Sequence, residues 1–142
     1  MIGKMLMLLS ISFLVFTPFS NPNAVQDDSK LIEGTWIMVS FEMGGQQMPQ
    51  EALKDSNLVL KDGRYTFQDS QGTYKINPTK KPKAMDLVGT KGPNEGKTSL
   101  AIYELTANTF RICYELEGKE RPTEFKTAPD KMHFLASYKR GK

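Results

Sequence analysis

The chemically capable side chains of this chain are two arginines, one thiol and one imidazole, and their spacing limits what they can do. In the run 109–115, Arg111, Cys113 and Glu115 alternate with Phe110, Ile112 and Tyr114, so the two triplets face opposite sides of an extended segment. If Arg111 faces inward it needs an anion, either Asp86 on a nearby strand or a carboxylate ligand. If it faces outward it is a solvated charge. Aromatic residues favour the inside, which turns Arg111 out, yet a free cysteine also favours burial, so the two cues disagree. Arg121 sits beside Pro122 on a loop, where it is either a solvated charge or a contact to a ligand or partner. Cys113 is the only thiol and has no internal disulfide partner. His133 is the only imidazole, and one histidine does not build a metal site, so it reads as an ordinary core or surface residue. The sequence has no Ser-His-Asp order, glycine-rich phosphate loop, paired-cysteine zinc spacing or nucleotide fingerprint. It therefore reads as a non-enzyme without catalytic residues, metal or cofactor.

The elements that must position these residues are short and β-rich, with no sustained helical period. In 35–42, Thr35, Ile37, Val39 and Phe41 alternate with Trp36, Met38, Ser40 and Glu42. Residues 49–54 suit one helical turn. Strands 57–60 and 65–68 flank Asp62-Gly63, a two-residue hairpin signal. After Gln71-Gly72 come strands 73–77 and 84–88, separated by a loop with three lysines. A Gly- and Pro-rich loop precedes 98–105, which pairs with 109–115 across a short turn, and 131–139 closes the set. Eight antiparallel strands joined mostly by tight turns favour an all-β up-and-down barrel first, or else a closed sandwich, because closure removes exposed edges.

Composition sets the class. Of the chain's 142 residues, the first 24 hold 14 of the 55 apolar ones, and the remainder has an apolar fraction of roughly 35%, suited to one small domain. Lys4 is followed by an apolar stretch that ends at Pro18, Asn21 and Pro22, the pattern of an export signal or an N-terminal anchor over 1–24. Cleavage after Ser20 or Ala24 would leave Pro18 or Pro22 at the minus-three position, and the segment has no cysteine for acylation. Residues 25–30 read as a linker and 31–140 as the domain, exported to the periplasm or outside the cell. Beyond the leader, 18 basic residues face 16 acidic ones, too small an excess to imply nucleic-acid binding. The domain is expected to be a monomer.

Gly34-Thr35-Trp36, followed by Val39-Ser40, resembles the opening strand of lipocalin-like barrels. Joined in order to Pro82-Lys83-Ala84-Met85-Asp86-Leu87, Gly92-Pro93, Gly96-Lys97, Ile102-Tyr103-Glu104-Leu105, Ile112-Cys113-Tyr114 and Gly118 to Phe125, it resembles a family of small uncharacterised lipocalin-like domains abundant in planctomycete bacteria. The resemblance covers 31–140 and implies a single eight-stranded, antiparallel, up-and-down barrel without naming a substrate. It also implies that Trp36 lies at the closed end beneath Arg140. A guanidinium can stack on an indole while donating to nearby carbonyls, which makes Trp36, Arg140 and Gly34 structural residues.

Such a barrel either fills its interior with side chains or encloses one small molecule. The expected function is binding of a small apolar or amphipathic ligand, with Tyr103, Phe110, Ile112 and Tyr114 as candidate lining and Arg111 or Arg121 as polar anchor. The alternative is a solid barrel whose rim binds, or inhibits, another exported protein.

Overall fold

A computed structural model describes residues 27–142, and the leader expected over 1–24 lies outside them. Among the described residues nine strands form one antiparallel sheet: β1 (Gly34–Met43), β2 (Gln46–Gln47), β3 (Asn57–Lys61), β4 (Arg64–Phe67), β5 (Ser70–Asn77), β6 (Lys83–Lys91), β7 (Thr98–Leu105), β8 (Thr109–Glu115) and β9 (His133–Arg140). Eight of them pair in chain order, and β9 returns to β1, closing an up-and-down, lipocalin-like barrel. The two-residue β2 only folds back on the end of β1. Among the described residues no helix is long and apolar enough to cross a membrane.

Alternation decides which side chains fill the barrel. Leu58 and Leu60, Phe110 and Ile112, and Phe134, Ala136 and Tyr138 are buried, each separated from the next by a more exposed neighbour or one turned to the outer wall. β1 breaks its own period. A bulge between Met38 and Ser40 shifts the register, so Trp36 and Met38 point inward and Phe41 then also packs against the core. Plain alternation separates Phe41 from Trp36, and the bulge reunites them.

The Asp62-Gly63 hairpin forms with Lys61 opposite Arg64, and both turn residues have positive φ. The helical turn expected over 49–54 is a 3₁₀ turn, Gln50–Leu53. Three boundaries differ from the sequence reading: the last strand, expected over 131–139, is His133–Arg140, so Met132 lies outside it, 51% exposed, rather than on the inward face. Gln71-Gly72 is inside β5, and the turn before it is Gln68-Asp69, with Gln68 at positive φ. β6 runs past Gly89 to Lys91. Glycine serves at position 72 because the Tyr65 ring, paired across the ladder, lies directly over it.

One end of the barrel is closed by a built cluster. The Trp36 indole donates to the Ile32 carbonyl at 2.8 Å, and the Arg140 guanidinium lies 4.1 Å over its ring. Arg140 also donates to the carbonyls of Leu31, Glu33 and Ala107. Gly34 is required there, since a β-carbon would stand 2.9 Å from Arg140 Nη1 on a backbone with φ +130°. The expected linker 25–30 needs correction in its described part. Asp28–Leu31 forms a helical turn, α1, and Asp28 is fully buried, accepting from Lys83 Nζ at 2.7 Å and from the Tyr103 hydroxyl at 2.8 Å. Asp28 is thus part of the folded unit rather than of a linker, because a buried carboxylate must hold partners and these belong to β6 and β7.

Candidate functional site

The barrel interior divides into a filled half and a partly open half. At the closed end Trp36, Tyr103 and Phe110 are fully buried, with Phe110 5.5 Å from Trp36, 6.2 Å from Tyr103 and 5.9 Å from Tyr138 between ring centroids. This aromatic chain packs the closed end, and Tyr138 carries it to the edge of the open half. Toward the opposite end, a cavity of about 80 Å³ is lined by Leu58, Tyr65, Leu87, Ile112, Tyr114 and Tyr138 among others. A cleft of about 200 Å³ lies at the mouth, walled by Met38, Phe41, Met48, Ala52, Leu53 and Gln68. Phe67 and Tyr114 belong to the walls of both spaces.

Local sequence explains how the mouth is built. Pro49 leads into the 3₁₀ turn, which carries buried Leu53 toward the core and leaves Ala52 exposed on the cleft. Gln50 Nε2 donates to the Val39 carbonyl, tying that turn to β1. Met48, Met43 and Met132 are exposed at the mouth side of the chain, Met132 to 51%. Thioethers are flexible and polarizable, so they adapt to irregular apolar guests.

Burial pushes the hydroxyls of Tyr114 and Tyr138 well above the usual phenol range. Unfolded tyrosines release their protons near pH 10, while these two keep theirs in the fold, so above that pH the unfolded state binds fewer protons. Stability should therefore begin to fall near pH ~8.5, where an unfolded Cys113 thiol ionises and the buried one does not, and fall above about pH 10 by up to a further ~1.4 kcal/mol per pH unit for each tyrosine. In an alkaline titration, phenolate absorbance from these residues should rise together with loss of the far-ultraviolet circular dichroism. Stepwise ionisation in a still-folded protein would contradict their burial.

The sequence-derived candidates separate in space. Ile112 and Tyr114 line the cavity, whereas Tyr103 and Phe110 belong to the filled closed end. Arg111 and Arg121 lie outside the barrel wall and cannot anchor an interior ligand. With Phe110 and Ile112 inward, Arg111 points out, donates to Glu104 at 2.9 Å and stacks 4.3 Å over the Phe125 ring. The partner expected for an inward Arg111, Asp86, instead accepts from Arg121 at 2.6 Å. Arg121 donates as well to the carbonyls of Met85 and Ala101. These bonds hold the segment 116–132 as a strap across the outer wall. It explains how Cys113 is outward-facing and still buried: the strap covers it, with the thiol 3.6 Å from the Lys126 carbonyl. Burial raises the thiol's pKa, so it is a poor nucleophile. Glu115 is buried beneath the same strap, accepting from the backbone N–H groups of Glu117 and Lys119. His133 is half-buried beside it.

No family model, curated protein or solved structure matches the chain. The functional reading therefore rests on the barrel and its mouth.

The sequence reading passed over Leu58, Tyr65, Phe67, Leu53 and Met48. A signal for two of them, Leu58 and Phe67, was present. The Asp62-Gly63 turn lies at the closed end, because Leu60 pairs with Gly34, so the inward residues far from that turn had to lie toward the mouth.

Proposed function

We propose that this protein is an exported barrel that binds the apolar part of a short amphipathic molecule at its open end. The observation that carries the reading is the pairing of the two apolar spaces, about 80 and about 200 Å³, across Phe67 and Tyr114. Together they reach only toward the low end of small-molecule sites, roughly 300–1,000 Å³. A long-chain lipid is therefore too large, and a short chain or a single ring fits, its polar end left at the rim. The signal-like pattern of residues 1–24 supports export.

An apolar fluorophore whose emission rises on leaving water, such as N-phenylnaphthylamine, tests the site. Ala52→Trp places a large side chain across the cleft from an exposed position, so it should fill the mouth without disturbing the fold. It should weaken binding by roughly tenfold, about 1.4 kcal/mol, with an unchanged melting curve. Equal binding by the variant and the parent would reject the mouth as the site.

A further inference from the structure

The ionisable side chains are sorted along the barrel axis. Lys4 is the only cation ahead of residue 27, so eighteen of the nineteen basic residues and all sixteen acidic ones lie in the described chain. α1, the turns β3 to β4, β5 to β6 and β7 to β8, and the tail after β9 lie at the closed end. With the strand termini beside them, they carry ten cations, Arg111 among them, and five acids, while Lys75 and Asp86 lie midway along the wall. The ends and turns at the mouth carry three cations and six acids, and the strap 116–132 is balanced at four of each. Two of the closed-end acids are already paired, Asp28 with Lys83 and Glu104 with Arg111. Lys61, Arg64, Lys80, Lys81, Lys139 and Lys142 are all exposed there.

This face has more than charge. Lys80 and Lys81 border an open groove of about 490 Å³ whose floor includes Pro78, Pro82, Leu105 and Phe125. The described chain also starts at this end, with Asp28 bonded to Lys83 of the lysine-bearing segment. We infer that the closed end docks on an anionic lipid bilayer, with Lys80 and Lys81 at the headgroups and the mouth turned away from the surface. A nucleic acid would satisfy the lysines but would not use the apolar groove. Basic residues near an anionic bilayer each strengthen binding, and the gain fades with salt. The inference is independent of what the mouth binds.

The test is co-sedimentation of the full chain with phosphatidylcholine vesicles, either pure or containing about one third phosphatidylglycerol. In about 0.1 M salt, where the Debye length is ~10 Å, the anionic vesicles should bind roughly a hundredfold more tightly. Lys80→Gln with Lys81→Gln should cut that preference by about thirtyfold, at ~1 kcal/mol per lysine. Lys61→Gln with Arg64→Gln, on the neighbouring turn, should act in the same direction. Lys91→Gln with Lys97→Gln, at the mouth, should change it less than about twofold, since those charges lie beyond a Debye length of the surface. All four residues of the first two pairs are exposed, and circular dichroism should confirm an unchanged fold. Equal binding to both vesicle types, an equal effect of the mouth pair, or tighter binding to duplex DNA than to the anionic vesicles would overturn the inference.

Discussion

Trp36→Ala is expected to lower the unfolding free energy by about 3–5 kcal/mol, the cost of truncating a fully buried aromatic. The indole is the keystone of the closed end, touching Phe110 on one side and the Arg140 guanidinium on the other while its N–H satisfies the Ile32 carbonyl. Removing it leaves a cavity and an unpaired carbonyl, and it leaves Arg140 without the ring on which it stacks. Trp36 is the only tryptophan, so the comparison must use circular dichroism in urea rather than intrinsic tryptophan fluorescence. Trp36→Phe should lose less, since it keeps most of the buried ring. If the alanine variant melts like the parent, the closed-end cluster does not hold the barrel together.

Gly72→Ala should be nearly as damaging, at about 3 kcal/mol, and for a different reason. A β-carbon there would stand 2.1 Å from the Val88 carbonyl oxygen and 2.4 Å from Tyr65 Cε1. A ring can swing aside, but a ladder carbonyl can move only by shifting its strand. Because Tyr65 lines the interior cavity, the variant should also weaken fluorophore binding in any protein that still folds. Parental stability in urea would mean that β5 and β6 do not approach as closely as described.

The barrel was legible because its signals are local. Short β-rich runs bounded by Gly, Pro, Asn and Asp marked the eight closing strands, the Asp62-Gly63 dipeptide placed one turn, and Gly34-x-Trp36 pointed to the end where Arg140 arrives. What escaped depends on distant partners. Asp27-Asp28-Ser29-Lys30 looks like a solvated linker until Lys83 and Tyr103 supply the buried Asp28 carboxylate with donors. Cys113 looks misplaced on an outward face until the aperiodic strap covers it. Gly72 looks like a turn because nothing adjacent in sequence shows the Tyr65 ring above it. The site suffered most. Ile112 and Tyr114 were reachable through the aromatic face of β8, but that same face includes Phe110, and alternation cannot tell the filled end of a barrel from the open one.

The most direct test of mouth binding is native mass spectrometry of the protein purified from its own host. The parent should carry a retained mass corresponding to one small amphipathic compound, and Ala52→Trp, purified in parallel, should not. A bare parent chain accompanied by a second protein would show that the rim serves a protein partner instead, and a bare chain alone would contradict ligand binding altogether.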